Sequence, residues 1–392
     1  MVASRSTSSS SAGPPQKILP CELDSATKEL VELIFSEDMF KSACTAMNVD
    51  IKKMPLGQLS KAQVQRGYDV LDELENALNA SGRNRVDMLE QLSARFYQAS
   101  QLCVIPHAFG RSRPPVINSA DMLHSKVEML NVLQDIGEAQ SMLSSVDNTG
   151  DGKGKAVQEA PRAVPHPTDV NYGLLNADLK LLSPQSHEYD IIKCYLENTK
   201  SGYGTAQMYD VWAVDREGEA KRFATHDKID NRKLLWHGTN VAVVAAIVKS
   251  GLRIMPHSGG RVGRGIYLAS ENAKSRQYVR PAFGAKGHGN NVGVMFLCEA
   301  ALGKEHSITV DDHRLTSPPK ASDGFDSIVA RGVQEPDPSK DTSLTLDGKR
   351  VVVPQGKPMA VPTYQKSHFS NSEYLVYQES QQRIRYMMTV KV

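Results

Sequence analysis

The hydrophobic period of this chain changes once, and that change limits what it can fold into. From residue 21 to about 146, apolar residues recur at intervals of three and four, one face of an α-helix. Leu30, Leu33 and Ile34 follow Asp24, a good N-cap. Val64, Tyr68, Leu71, Leu74 and Leu78 follow Ser60-Lys61-Ala62-Gln63, which has capping-box spacing. Leu89, Leu92 and Phe96 form a further stripe, and Leu123, Val127, Leu130 and Leu133 predict a long helix ending near Ser145. Breakers at Pro55, Gly57 and the loop His107–Ser119 separate these helices. Stripes of this kind bury against one another, so this part reads as a bundle with no chemistry of its own.

From about Asp169 the pattern becomes one of short apolar runs. Strands are predicted over Tyr209–Val214, Leu234–Trp236, Ile266–Leu268, Val292–Glu299, Glu373–Gln378 and Ile384–Val390. Tyr189, Ile192 and Leu196 predict one helix, and Val243, Val244, Ile247 and Val248 a second, capped by Thr239 or Asn240 and closed by Gly251. Strands with few intervening helices argue for an α+β chain rather than a doubly wound sheet. Residues 147–168 are rich in Gly, Pro and charge, which is the composition of a linker or surface loop. The expected organisation is a disordered, Ser-rich, acid-free tail over residues 1–20, a helical region over 21–146, a linker or loop over 147–168 and a strand-rich region over 169–392.

Composition narrows the function classes. The formal net charge of the 392 residues is only +2, so there is no global basic footprint for nucleic acid. The five cysteines, Cys21, Cys44, Cys103, Cys194 and Cys298, lie far apart with no C-x-x-C, which argues against a disulfide framework or a cysteine zinc site. His257, His288 and His306 lack ligand-like spacing. The segment after Val146 starts like a calcium loop, but Thr149 and Gln158 stand where ligands are needed. No apolar run reaches membrane-spanning length, and neither a Rossmann fingerprint nor a P-loop occurs.

The stretch GRGIYLASENAKSRQY, Gly263 to Tyr278, carries the densest local information. Gly263 and Gly265 permit a tight turn or a close approach, Ile266-Tyr267-Leu268 reads as a strand, and Ser270 is a plausible N-cap. A helix there puts Ser275 and Tyr278 on one face. Tyr267, Ser275 and Tyr278 would then surround a space suited to a flat, amide-bearing ring. Two further segments, LLWHGTN with His237 and NSEYLVYQ with Glu373, repeat the layout of a short apolar strand bearing a polar residue.

With these motifs in order, the chain resembles the poly(ADP-ribose) polymerase family of ADP-ribosyltransferases. The segments IKKMPLGQLSKAQVQRGYDVL, SGLRIMPHSGGRVGRGIYLAS, FDSIVARGVQEPDP and SEYLVYQESQQRIRYMM resemble its DNA-damage-responsive branch. The resemblance implies a helical regulatory domain followed by a catalytic domain on a mixed or antiparallel split β-sheet. It also implies a His-Tyr-Glu triad of His237, Tyr267 and Glu373. NAD would be the co-substrate, with no metal. Gly238 would meet the nicotinamide carboxamide through its backbone, Ser275 would donate to the same group, and Tyr267 and Tyr278 would stack on the ring. His237 would hold the adenosine ribose, and Glu373 would accept from the nicotinamide ribose and favour the developing cation. Lys274 and Arg253 resemble positions near the site, Arg253 on the adenosine side. The implied partners are protein acceptors, including the chain itself, and not a membrane. The implied setting is DNA repair in the nucleus, with organellar targeting by the Ser-rich start as the alternative. DNA-break dependence would come through a missing or separate domain, since the residues before Cys21 are too few for the WGR domain of that branch. The resemblance favours mono-transfer and leaves open polymer formation, NAD hydrolysis with water as acceptor, and a weakly catalytic NAD-fold interaction module. The bundle would restrain the transferase.

Overall fold

The computed structural model describes residues 17–47, 49, 61–80, 85–99, 115–147, 163–200, 207–254, 260–281, 291–319 and 324–391. The capping-box Ser60, His257, His288, Cys103, Thr149 and Gln158 lie outside the described residues.

A short strand, Lys17–Ile18 (β1), precedes helices α1 (Ser25–Ile34), α2 (Glu37–Ala46), α3 (Lys61–Asn79), α4 (Arg85–Ala99) and α5 (Ala120–Asp147). Asp24 caps α1: its carboxylate accepts from the Thr27 N–H at 2.9 Å and from the Thr27 hydroxyl at 2.6 Å. Ser36 caps α2 through the Met39 N–H at 3.3 Å. The buried stripes follow the predicted period: Leu30 and Ile34 on α1, Val64, Tyr68, Leu71 and Leu74 on α3, and Leu89, Leu92 and Phe96 on α4. The predicted Leu33 and Leu78 are only half-buried, and Val31 takes a core place on α1 instead. Helix α5 is apolar on more than one side because it is central. It packs on α3 on one side and on residues 241–250 of the following region on another.

After Ala163–Val164 (β2), which pairs in parallel with β1, helix α6 (Pro167–Gly173) lies against α1. The remaining elements are β3 (Ala177–Leu181), α7 (His187–Asn198), β4 (Gln207–Arg216), α8 (Glu219–Phe223), β5 (Arg232–Gly238), α9 (Val244–Ser250), β6 (Ile266–Ala269), α10 (Asn272–Arg276) and β7 (Val292–Ala301). They are followed by β8 (Glu305–Ile308), β9 (Ser327–Ala330), β10 (Gly332–Pro336), β11 (Thr342–Leu346), β12 (Lys349–Val353), β13 (Pro358–Ala360), β14 (Phe369–Asn371), β15 (Glu373–Val376) and β16 (Gln382–Lys391).

The large sheet runs β3-β4-β16-β7-β5-β6-β15-β9-β8, with β12 and β11 attached beside β5. It is antiparallel apart from β8 with β9 and the single bridge of β12 to β5. The sheet is split: β5 follows β7 along its whole length but meets β6 at one pair, Trp236 with Ala269. A small sheet, β13-β10-β14, sits beside the second half. The chain is thus α+β, as its period suggests. The bundle and the sheet share one apolar core, which includes Val31, Leu133, Val244, Leu235 and Trp212. The Trp212 indole N–H also donates to Thr27 Oγ1 at 2.9 Å, so a buried polar bond ties α1 to β4. Ser270 does not cap the next helix. The helix starts at Asn272 and Glu271 occupies the N-cap position without a side-chain bond.

Candidate active site

The site forms where the sheet splits. Trp236 of β5 pairs with Ala269 of β6, and Ala269 pairs with Glu373 of β15, so three strands meet in one row. Tyr267 is opposite Leu375, two residues along from the Ala269–Glu373 pair. Since side chains alternate along a strand, Tyr267 and Glu373 share a face. His237 and Gly238 are the last residues of β5, where that strand leaves its neighbour. A split of this kind frees strand ends without breaking the core, because β5 keeps its full pairing with β7 on its other side.

Gly238 is required by packing. A Cβ at this position would lie 1.9 Å from the Ser275 carbonyl oxygen and 3.2 Å from Val279 Cγ2. Helix α10 therefore rests directly on the backbone of β5. Ser275 completes the contact by donating from Oγ to the Trp236 carbonyl at 3.0 Å. His237 Nδ1 lies 3.0 Å from the Tyr267 carbonyl oxygen. A carbonyl only accepts, so Nδ1 carries the proton and Nε2 is left as an acceptor. Burial pushes the imidazole pKa down, against the upward pull of the Tyr267 carbonyl, and the ring is neutral near pH 7.

Lys274 links the rest. Its Nζ is 3.0 Å from Glu373 Oε1 and 5.6 Å from the centre of the Tyr278 ring. Burial alone would lower the ammonium pKa, but Glu373 and Tyr278 together outweigh it and the net shift is upward. Tyr278 is 45 % exposed, so part of its ring is open to a ligand. The Tyr267 hydroxyl is already committed: it donates to the Gly263 carbonyl at 2.7 Å and accepts from the Val262 N–H at 3.0 Å. Tyr267 thereby anchors the turn at residues 260–263, leaving only its ring available to a ligand. Gly263 adopts φ +76°, and a Cβ there would lie 1.8 Å from the Leu315 carbonyl oxygen.

The structure thus joins His237, Gly238, Tyr267, Lys274, Ser275, Tyr278 and Glu373 through a continuous set of contacts. Arg253 stands apart from them. Its guanidinium is ion-paired with Asp135 and, at 2.9 Å, with Glu138 Oε2, both on α5. Glu138 also accepts from the Ser250 hydroxyl. Burial pushes the Asp135 carboxyl up to about 7, despite the opposing pull of Arg253. Periodicity alone passed over these two acids. The available signal was Asp135 lying two residues after Leu133 in an apolar run, with Glu138 three residues further on.

Also unforeseen was a clasp behind the turn. Arg261 is ion-paired with Asp311, donates to the His368 carbonyl at 2.9 Å and lies 4.3 Å from the centre of the Phe369 ring. The Arg261 hydrogen bond holds Asp311 down at about 2. Among the described residues no group of three or more His, Cys, Asp or Glu is arranged to hold a metal ion, and no helix is long and apolar enough to cross a membrane.

Comparison with known proteins agrees with this architecture. The model of the poly(ADP-ribose) polymerase catalytic domain matches residues 186–392, and that of the family's regulatory domain matches residues 21–172. The chain is 52% identical over 381 residues to the protein mono-ADP-ribosyltransferase PARP3 of Mus musculus, covering 97% of this chain and 68% of the relative. It is 51% identical over 375 residues to the Homo sapiens protein of the same name, covering 96% and 66%. It is 33% identical over 371 residues to poly [ADP-ribose] polymerase 1 of Gallus gallus, covering 93% and 33%. The chain spans about two thirds of the length of the first two relatives and one third of the last. Two consecutive family domains, the second on a split sheet, with relatives above 50% identity over nearly the whole chain, establish that it belongs to the poly(ADP-ribose) polymerase family.

Proposed function

We propose that the chain transfers a single ADP-ribose from NAD to protein side chains, releasing nicotinamide. The observation that supports this most is the convergence of His237, Tyr267 and Glu373 on the three strands that meet at the split. The names of its relatives favour mono-transfer over chain growth.

The reaction breaks the bond between the nicotinamide nitrogen and the ribose, and the nicotinamide leaves with the bonding pair. The ribose becomes cationic before the acceptor oxygen attacks it. An enzyme accelerates such a step by stabilising what exists only in the transition state. Glu373, 4 % exposed, is suited to oppose that charge and to take the proton of a hydroxyl acceptor. The Lys274 ion pair holds its carboxylate in one orientation. The backbone of Gly238 suits the leaving carboxamide, and Ser275, whose proton is given to the Trp236 carbonyl, suits it as an acceptor for the carboxamide N–H rather than as the expected donor, with the Tyr267 and Tyr278 rings against its flat faces. His237 Nε2, unprotonated and lacking a partner among the described residues, suits a ribose hydroxyl.

Two further expectations belong to this proposal. The helical region restrains the transferase, because α5 holds Arg253, which begins the segment leading to the 260–263 turn. The protein acts in the nucleus in DNA repair, with break dependence carried by a separate domain. Labelled NAD, with and without nicked DNA, tests transfer, its product and its DNA dependence on a denaturing gel. A sharp band supports mono-transfer, a smear means polymer, and no labelled protein overturns the transferase reading.

A further inference from the structure

Glu271 is almost wholly buried, 1 % exposed, although it opens the short helix that carries Lys274 and Ser275. It occupies the N-cap position, yet its carboxyl makes no capping bond. Instead it crosses to the small sheet. Its Oε2 accepts from Gln334 Nε2 of β10 at 2.9 Å, and the side chain of Asn371 on β14 lies close enough to pull the carboxyl pKa downward. Its Oε1 is buried with no hydrogen-bond partner. Glu335 is the charged group whose field it feels, and burial, more than that neighbour, pushes the carboxyl up to about 7.

The residues it reaches are rigidly coupled to Glu373. Gln334 and Asn371 are register partners in β10 and β14. A Cβ on Gly332 would lie 2.4 Å from the Asn371 carbonyl carbon, so these two strands are pressed together. Ser372, fully buried, accepts from the Gly332 N–H at 2.8 Å and donates to Glu335 Oε1 at 2.5 Å. Glu373 follows directly. Among the described residues, the other polar link between α10 and this strand end is the Lys274–Glu373 pair itself.

We propose that Glu271 is a positioning residue that ties the helix carrying Lys274 and Ser275 to the strand end carrying Glu373, fixing the two sides of the transfer site against each other. The inference rests on the assignment of Lys274 and Glu373 to that site. A misplacement of about 1 Å at reacting groups costs on the order of 100-fold in rate. Binding of the leaving ring is expected to survive, because α10 stays docked on β5 through Gly238 and the Ser275–Trp236 bond, neither of which involves Glu271.

The test measures kcat and KM for NAD in the full chain. Glu271→Ala is expected to lower kcat at least about 10-fold while KM changes less than about 3-fold, because transition-state alignment is lost and substrate binding is kept. Glu271→Gln, which keeps an acceptor toward Gln334 without a charge, is expected to restore most of kcat. Gln334→Leu removes the other half of the contact and is expected to give the same selective kcat loss, which decides the matter if Glu271→Ala does not fold. A kcat within about 3-fold of the parent in Glu271→Ala or, if that variant does not fold, in Gln334→Leu overturns the proposal. So does a folded Glu271→Gln as impaired as Glu271→Ala. Glu373→Gln is run alongside: if it retains the parent rate, the site assignment itself has failed, a result distinct from failure of the Glu271 role.

Discussion

Substituting Asp135 by Asn removes one carboxylate from the Arg253 ion pair, yet it is expected to stabilise the protein at pH 8. Two opposing effects decide the sign. Arg253 attracts the ionised Asp135, but the carboxyl is 7 % exposed and pays for leaving water. Its pKa lies at about 7 against an ordinary value of 3.8, so desolvation wins and the ionised form is the unfavourable one in the fold. A raised acid pKa means the folded state binds the extra proton. Stability from this group is therefore fullest below about pH 4 and is lost as pH rises through about 7. A gap of about three pH units corresponds to about 4 kcal/mol as an upper bound. The amide needs a partner for its own N–H groups and the interior relaxes around an ionised acid, so a gain of roughly 1–3 kcal/mol is expected. Urea denaturation of parent and Asp135→Asn between pH 5 and pH 8.5 checks it. The stability gap should open with rising pH and level off above about 8. Tighter docking of α5 should also lower the DNA-free transfer rate at pH 8, by no more than the corresponding population shift. A variant less stable than the parent at pH 8 would show that Arg253 outweighs desolvation, and the argument would be wrong.

Glu373→Gln is expected to cut protein ADP-ribosylation on the order of 100-fold or more while a benzamide-type ligand still binds, since the carboxylate opposes a charge that develops on the way to the transition state; gel labelling and calorimetry read the two effects separately. Tyr278→Ala is expected to weaken that ligand by about 0.5–1.5 kcal/mol, the worth of one aromatic stack, and unchanged affinity would remove the ring from the pocket. Trp212→Phe deletes the buried bond to Thr27 and should lower stability by about 1 kcal/mol and raise the DNA-free rate at low NAD, because that bond joins the bundle to the sheet. An unaltered DNA-free rate in a destabilised Trp212→Phe would mean that docking and activity are not coupled.

What the sequence by itself determined is local. The stripes of α1, α3 and α4 are periodic because each helix buries one face, and Asp24 caps α1 because a short carboxylate reaches the free N–H of Thr27. Strands such as β7 and β16 are legible as apolar runs because they are buried on both faces. The residues proposed for the site, His237, Gly238, Tyr267, Lys274, Ser275, Tyr278 and Glu373, were singled out by the resemblance of their motifs to the family. The boundaries of α10 were not, because a five-residue helix is held by its contacts with β5 rather than by its own signals. Only the tertiary structure decided the long-range pairings. Arg253 faces Asp135 across 118 residues, Glu271 crosses 63 residues to Gln334, and Arg261 reaches Asp311 and Phe369 behind the turn. No local pattern encodes such pairs: a charged side chain reads the same in sequence whether water or a distant carboxylate surrounds it. Its partner and its desolvation are fixed only when the strand-rich region folds and, for Arg253, when the bundle closes on it.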